Sequence, residues 1–164
     1  DLSRLLLSED PKICFTCHGD KEQALKKKTV HAPVASGCIN CHNPHGGKFP
    51  RFFVAAFPTS LYVEFSKEKF ALCFGCHDDG LVMKEKTTDA TNFRNKDRNL
   101  HSLHVKKDKG RVCFICHDIH ASNNPSIIRD SVPFGKWALP LNYMKKEKGG
   151  VCAPGCHKKV EYER

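Results

Sequence analysis

The sequence has no long hydrophobic run. Its longest apolar stretch, Phe52 to Phe57, is six residues, far short of the roughly 20 that cross a bilayer as a helix. No transmembrane segment is therefore expected in these 164 residues. No secretory leader is visible at Asp1 either. Methionine and tryptophan are scarce, at two and one, so Met83 and Met144 can serve two metal centres at most. Acidic residues are outnumbered, 18 against 27 Lys and Arg, for a formal net charge of +9. The chain is also polar, with a mean hydropathy of −0.48. A domain of this length buries about 70 % of its unfolded surface, yet these short apolar stretches are poor core material. Nothing resembles a base paired with a nucleophile, so no catalytic residue is named.

Cysteine is abundant, but none is spare. Four copies of Cys-x-x-Cys-His account for eight of the ten: Cys14, Cys17 and His18; Cys38, Cys41 and His42; Cys73, Cys76 and His77; Cys113, Cys116 and His117. A fifth is longer by one residue, Cys152-Ala153-Pro154-Gly155-Cys156-His157. Cys-x-x-Cys-His is the attachment signature of c-type haem. Two thiols reach the two vinyl groups on one porphyrin edge, and the adjacent His reaches the iron. On a helical turn the first Cys, the second and the His share one face. A set of five disulfides is open to an exported chain, and zinc knuckles use Cys-x-x-Cys. Neither explains a His directly after every pair.

Five His remain: His31, His45, His101, His104 and His120. Five irons with one open axial position each need five further ligands, so the counts match. His45 and His120 each lie three residues past a motif His, with the haem plane between them and their own iron's free face, and are better placed for a neighbour. His101 has no counterpart in the first half of the chain, and by count it falls to the fifth site.

The expected cofactor is five covalent haem c groups. Each carries two propionates, so five haems bring the chain from +9 to about +4 oxidised and about −1 reduced. Much of the basic content then balances propionates, and a nucleic-acid partner is not expected. The remaining lysines can steer an acidic partner.

Along the chain, Leu2, Leu5, Leu6 and Leu7 suggest a short helix over residues 1–13, and Lys21 to Lys28 a solvated basic helix. Arg51 to Phe65 is the least polar segment, its phenylalanines expected on haem faces. Residues 78–100 read as a long polar loop. His101 and His104 share a helical face. Residues 14–45 run as site, gap, His, site, x-x-His, and residues 73–120 repeat this with a longer gap. A partial third unit lies around 152–157. The tails Pro50-Arg51-Phe52-Phe53-Val54 and Pro125-Ser126-Ile127-Ile128-Arg129 match loosely. The expected architecture is a single pentahaem domain over 1–164, mainly irregular with short α-helices and little or no β-sheet, wrapped around a row of haems.

The runs His31 to His45 and Cys113 to Ser122 resemble the multihaem c-type cytochromes of anaerobic and metal-respiring prokaryotes, in particular the group built on a doubled Cys-x-x-Cys-His motif. The resemblance covers most of residues 11–157, and the fifth site departs from the usual spacing. It implies haems stacked in alternating parallel and perpendicular pairs, with electrons carried along the row. Two axial imidazoles leave an iron no position for substrate, so one-electron exchange at low potential is the expected activity. The expected role is an electron carrier in anaerobic or metal-linked respiration, not an enzyme. It would be periplasmic or extracellular, with its signal peptide removed. Its redox partners would be other cytochromes, a quinol-oxidising complex or a terminal reductase. Two alternatives stand beside it: a multihaem reductase with one open iron, the fifth site being the first candidate, and an end-to-end subunit of a cytochrome filament or membrane complex.

Overall fold

The computed structural model describes residues 8–164. Leu2, Leu5, Leu6 and Leu7, on which the expected N-terminal helix rests, lie outside the described residues. From Lys12 a single turn, α1 (Lys12–Phe15), enters the first motif, and α2 (Gly19–Ala24) follows it. Asp20 and Glu22 in the first turn of α2 suit the positive end of a helix. The basic run Lys26 to Lys28 lies beyond that helix, not within it.

Three further motifs also begin on helical turns. The second uses a 3-10 turn, Cys38–Asn40, after α3 (Ala32–Ser36); the third uses α4 (Ala71–Phe74), and the fourth α7 (Cys113–Cys116). In each, the motif His donates its N–H to the carbonyl of the first Cys: His18, His42, His77 and His117, at 2.9 to 3.0 Å. This i to i+4 bond turns both thiols and the imidazole to one side.

The fifth motif is built differently. Cys152 ends a strand, β8 (Gly149–Cys152), which pairs with β7 (Met144–Lys146) and β9 (Val160–Glu163) in a three-stranded antiparallel sheet. The His157 N–H reaches only Pro154, at 3.4 Å. The extra residue replaces the helical turn with an open loop.

The expectation of little or no β-sheet is overturned. Among the described residues, nine strands form four small antiparallel sheets. One pairs β1 (Thr29–Val30) with β4 (Ala121–Ser122), some ninety residues away. β2 (Arg94–Asn95) pairs with β3 (Arg98–Asn99), and β5 (Ser131–Phe134) with β6 (Trp137–Pro140). The physical reason is backbone satisfaction: between closely spaced motifs the chain must still pair its N–H and C=O groups, and short hairpins do so locally. Gly135, at φ 57, opens the two-residue turn between β5 and β6.

The polar stretch 78–100, expected as a loop, carries helix α5 (Gly80–Met83) and the β2–β3 hairpin. Asn99 is its anchor, 1 % exposed. Its amide donates to the carbonyls of Leu81 at 3.0 Å and Lys84 at 2.7 Å. Its side-chain oxygen accepts from the N–H groups of His101 at 2.9 Å and Ser102 at 3.1 Å. It thereby caps α6 (Leu100–Val105), the helix bearing His101 and His104.

A protein core exists, but it is local. Phe70, Val82, Val105, Val112, Ile115, Val132 and Leu141 pack together around the third and fourth motifs. No helix of the described residues is long and apolar enough to cross a membrane.

Candidate haem-binding site

Three pairs of imidazoles face each other across the fold. The rings of His31 and His77 have centroids 6.1 Å apart and planes 7° from parallel. His101 and His117 lie 6.3 Å apart at 21°, and His104 and His157 6.5 Å apart at 34°. Each pair joins a motif His to one of the five extra His. A metal between two imidazoles, with bonds of about 2.0 Å and about 1.1 Å from nitrogen to ring centre, sets centroids roughly 6.2 Å apart. The three pairs have that spacing, and each joins two rings that can both offer a nitrogen.

The second test is which ring nitrogen is free. Backbone carbonyls accept from Nδ1 of five rings. These bonds are His31 to Ile119 at 3.1 Å, His42 to Arg51 and His117 to Ser126 at 2.9 Å, and His104 to Leu100 and His157 to Lys158 at 2.6 Å. A carbonyl can only accept, so Nδ1 carries the proton and Nε2 keeps its lone pair. Nδ1 of His101 meets the Thr91 hydroxyl at 3.0 Å. Fixing the far nitrogen in this way is the usual support of a metal-bound His.

Two of those carbonyls arrive by the same device. Arg51 and Phe52 sit at φ 58, and Ser126 and Ile127 at φ 55 and 50. Left-handed backbone is costly for such residues, above all for β-branched Ile127. In both segments the strained turn aims the carbonyl of its first left-handed residue at the motif His. The next N–H donors also match: Asn43 to Phe52 at 2.7 Å, and Asp118 to Ile127 at 2.8 Å. The loosely matching tails of the sequence thus share one local geometry.

Burial acts on the imidazoles in one direction. It lowers the pKa of His101 to about 3, and lowers those of His104, His117 and His120. All four stay neutral at neutral pH, the form that binds metal. The strands β1 and β4 set His31 beside His120, whose carbonyl accepts from the His31 N–H at 3.0 Å. His120 also lies within charge range of His42. His18 and His45 are exposed, and the structure does not bring them face to face. Where the count gave His101 to the fifth site, it is His104 that lies opposite His157, and His101 lies opposite His117.

The thiols form a series. Sγ of Cys14 and Cys38 and the Asp10 carboxylate lie within 4.8 Å of one another. Burial, then Cys14 beside it, pushes Cys38 up to about 12. Cys73 is pushed up by the adjacent Cys113 thiol and by burial. Cys41 feels Cys76, and Cys116, raised to about 11 mainly by burial, feels Cys152 and Cys156. Each motif thus neighbours the next along the chain. Gly37, at φ 151, makes the first junction possible: a Cβ there would meet the Asp10 carboxylate at 2.2 Å. That carboxylate accepts from the Cys38 N–H at 3.0 Å.

Phe53 and Phe57, from the least polar segment, are buried against His42, Phe114 and each other. Sequence reasoning missed Asn99, Thr91 and Phe93. Phe93 packs 5.8 Å from His104 and 5.1 Å from Tyr162. Asn99 was detectable: an Asn directly before the apolar-periodic Leu-His-Ser-Leu-His is a helix-start signal.

Repeated Cys-x-x-Cys-His turns, with imidazoles held neutral and facing, define a multihaem c-type cytochrome, and the protein is one. Its cofactor is covalently bound haem c, and its activity is electron transfer. A family model described as the doubled CXXCH motif matches residues 31–81. The chain is also similar to the Cytochrome c-type protein NrfH of Wolinella succinogenes, at 27 % identity over 145 residues, 79 % of this chain and 71 % of that protein.

Proposed function

We propose that the chain is a pentahaem electron carrier with two axial imidazoles at each iron, passing single electrons between redox partners outside the cytoplasm in anaerobic or metal-linked respiration. The observation that carries this reading is the spacing of the three facing His pairs, 6.1 to 6.5 Å. The thioether residues are Cys14, Cys17, Cys38, Cys41, Cys73, Cys76, Cys113, Cys116, Cys152 and Cys156. The motif ligands are His18, His42, His77, His117 and His157. His31 serves the third site, His101 the fourth and His104 the fifth; His120 serves the second, and His45 is left for the first.

When bound, haem c supplies reversible one-electron exchange at iron. The chain's own residues fix the rest. The carbonyls of Ile119, Arg51, Leu100, Ser126 and Lys158 lock five rings with Nε2 outward. Phe53, Phe57 and Phe114 exclude water between the second and fourth motifs. The thiol series orders the sites one to five, so the two ends of the row are the first and fifth motifs. The small, local protein core supports large apolar bodies completing the interior of a single unit, with duplicated segments at 14–45 and 73–120. The relative's printed name, a c-type cytochrome, accords with a carrier.

The test is the mass of the intact denatured holoprotein together with a pyridine haemochrome assay. Five haems retained per chain are expected. Four or fewer, with free thiol at any motif, contradicts the pentahaem reading.

A second reading, a reductase with one open iron, draws on a different observation. His104 faces His157, so the fifth site is no longer the first candidate. His18 and His45 are both exposed and not apposed, which moves that reading to the first site. A high-spin signal confined to the haem on Cys14 and Cys17 would favour it.

A further inference from the structure

The two ends of the thiol series differ in charge and surface. Residues 8–36, around the first motif, hold five Lys against four Asp and Glu. Residues 134–164, around the fifth, hold seven Lys and Arg against three Glu. The fifth end also exposes large apolar side chains: Trp137 at 60 %, Met144 at 61 %, Val160 at 51 % and Phe134 at 41 %. They stand on the two β-structures that flank the His104–His157 pair. On one flank, the β5–β6 hairpin is tied to the motif itself: the Gly155 N–H donates to the Pro140 carbonyl at 3.0 Å, and the Asn142 amide to the Ala153 carbonyl at 3.1 Å. Its tip, Phe134 paired with Trp137, stands about 10 Å from Pro140 at 3.3 Å per residue. On the other flank, Tyr162 of β9 packs on Phe93, which packs on His104.

We propose that this end of the molecule, resting on the reading of the fifth motif as a haem site, is the docking surface for an acidic redox protein. Exposed Trp137 and Phe134 form the apolar centre, and Lys136, Lys145, Lys158 and Lys159, all exposed, form the rim. An apolar centre with a charged rim suits a small, transient interface. Electrostatic complementarity there acts on the encounter rate and its salt dependence. The near-balanced first end lacks that bias, so the row has a polarity: the acidic partner exchanges electrons at the fifth motif.

The test is stopped-flow electron exchange between the holoprotein and a reduced acidic [2Fe–2S] ferredoxin as probe, at low and high ionic strength. One variant carries Lys136→Glu, Lys158→Glu and Lys159→Glu. A control carries Lys12→Glu, Lys26→Glu and Lys28→Glu at the first end, with the same change in net charge. The fifth-end variant is expected to react roughly tenfold more slowly at low salt and with a flatter salt dependence. The control should stay within about twofold of wild type. Trp137→Ala should slow the reaction about threefold while leaving the salt dependence unchanged. Equal losses in both charge variants, or no loss in either, overturn the proposal. So does binding to phosphatidylglycerol vesicles that Trp137→Ala abolishes while the ferredoxin rate is unchanged. Haem content separates the two layers: a fifth motif without haem contradicts the underlying reading, whereas full haem with a salt-insensitive rate contradicts the docking surface alone.

Discussion

The fourth and fifth motifs present a His to a facing imidazole at nearly the same separation, 6.3 and 6.5 Å, by different means. At the fourth, helix α7 and an i to i+4 bond turn Cys113, Cys116 and His117 together. The carbonyl that fixes His117 comes nine residues on, from the strained turn at Ser126. At the fifth, a strand and a loop with one extra residue hold Cys152 and Cys156, and the fixing carbonyl belongs to the next residue, Lys158. One site is embedded in the protein core, while Cys156 and His157 of the other are exposed. Ring orientation, free Nε2 and spacing recur in both. Helix, strand and core are interchangeable means of reaching them.

Removing attachment should separate the two most strongly. The pair Cys113→Ser with Cys116→Ser removes attachment inside the core that Val112 and Ile115 belong to, and folding and cofactor binding are linked. We expect no soluble holoprotein. The pair Cys152→Ser with Cys156→Ser should yield a soluble chain with one haem fewer by haemochrome assay. Equal yields for the two pairs would erase the distinction between core and edge.

Acid acts next. Burial holds His101 at about 3 against an ordinary 6.5. A His lowered in the folded state favours folding above pH 6.5, and that contribution is lost progressively as pH falls towards 3. The melting temperature should therefore fall across that window. A flat profile would mean that His101 is not shielded.

Asn99→Ala is smaller but reaches both sites, because α6 supplies His101 and His104 alike. It removes two amide donations and the cap of α6, for a loss of roughly 2 to 3 kcal/mol. Thermal unfolding checks this, with a drop of about 5–10 °C expected. A drop confined to one site's spectrum would show that the two are not coupled through this helix.

The least effect is a gain. Ser126→Gly keeps the carbonyl on His117 and relieves a left-handed φ of 55, for roughly 1 kcal/mol of added stability. Arg51→Gly should do the same beside His42. Neither should change the haem count.

The five motifs were legible because thioether chemistry demands a fixed spacing, and the helical turn at four of them follows from it. The twin tails were legible as a faint match between Pro50-Arg51-Phe52 and Pro125-Ser126-Ile127; their shared left-handed turns were not, since neither segment contains glycine. The sheets were hidden because β1 and β4 are two residues long, too short to show alternation, and are joined across ninety residues. The placement of His101 beside His117, and of His104 beside His157, was hidden because sequence order says nothing about which imidazoles topology brings together. Asn99 shows the reverse, a cap signal present in the sequence within a stretch whose polarity suggested only a loop.

The central claim is that every iron has two imidazoles. Low-temperature EPR of the fully oxidised holoprotein tests it most directly, with the integrated signal compared against total haem. The account predicts low-spin ferric iron at all sites, unchanged by added cyanide or nitrite. A high-spin signal integrating to one haem per chain, shifted by either ligand, would contradict it.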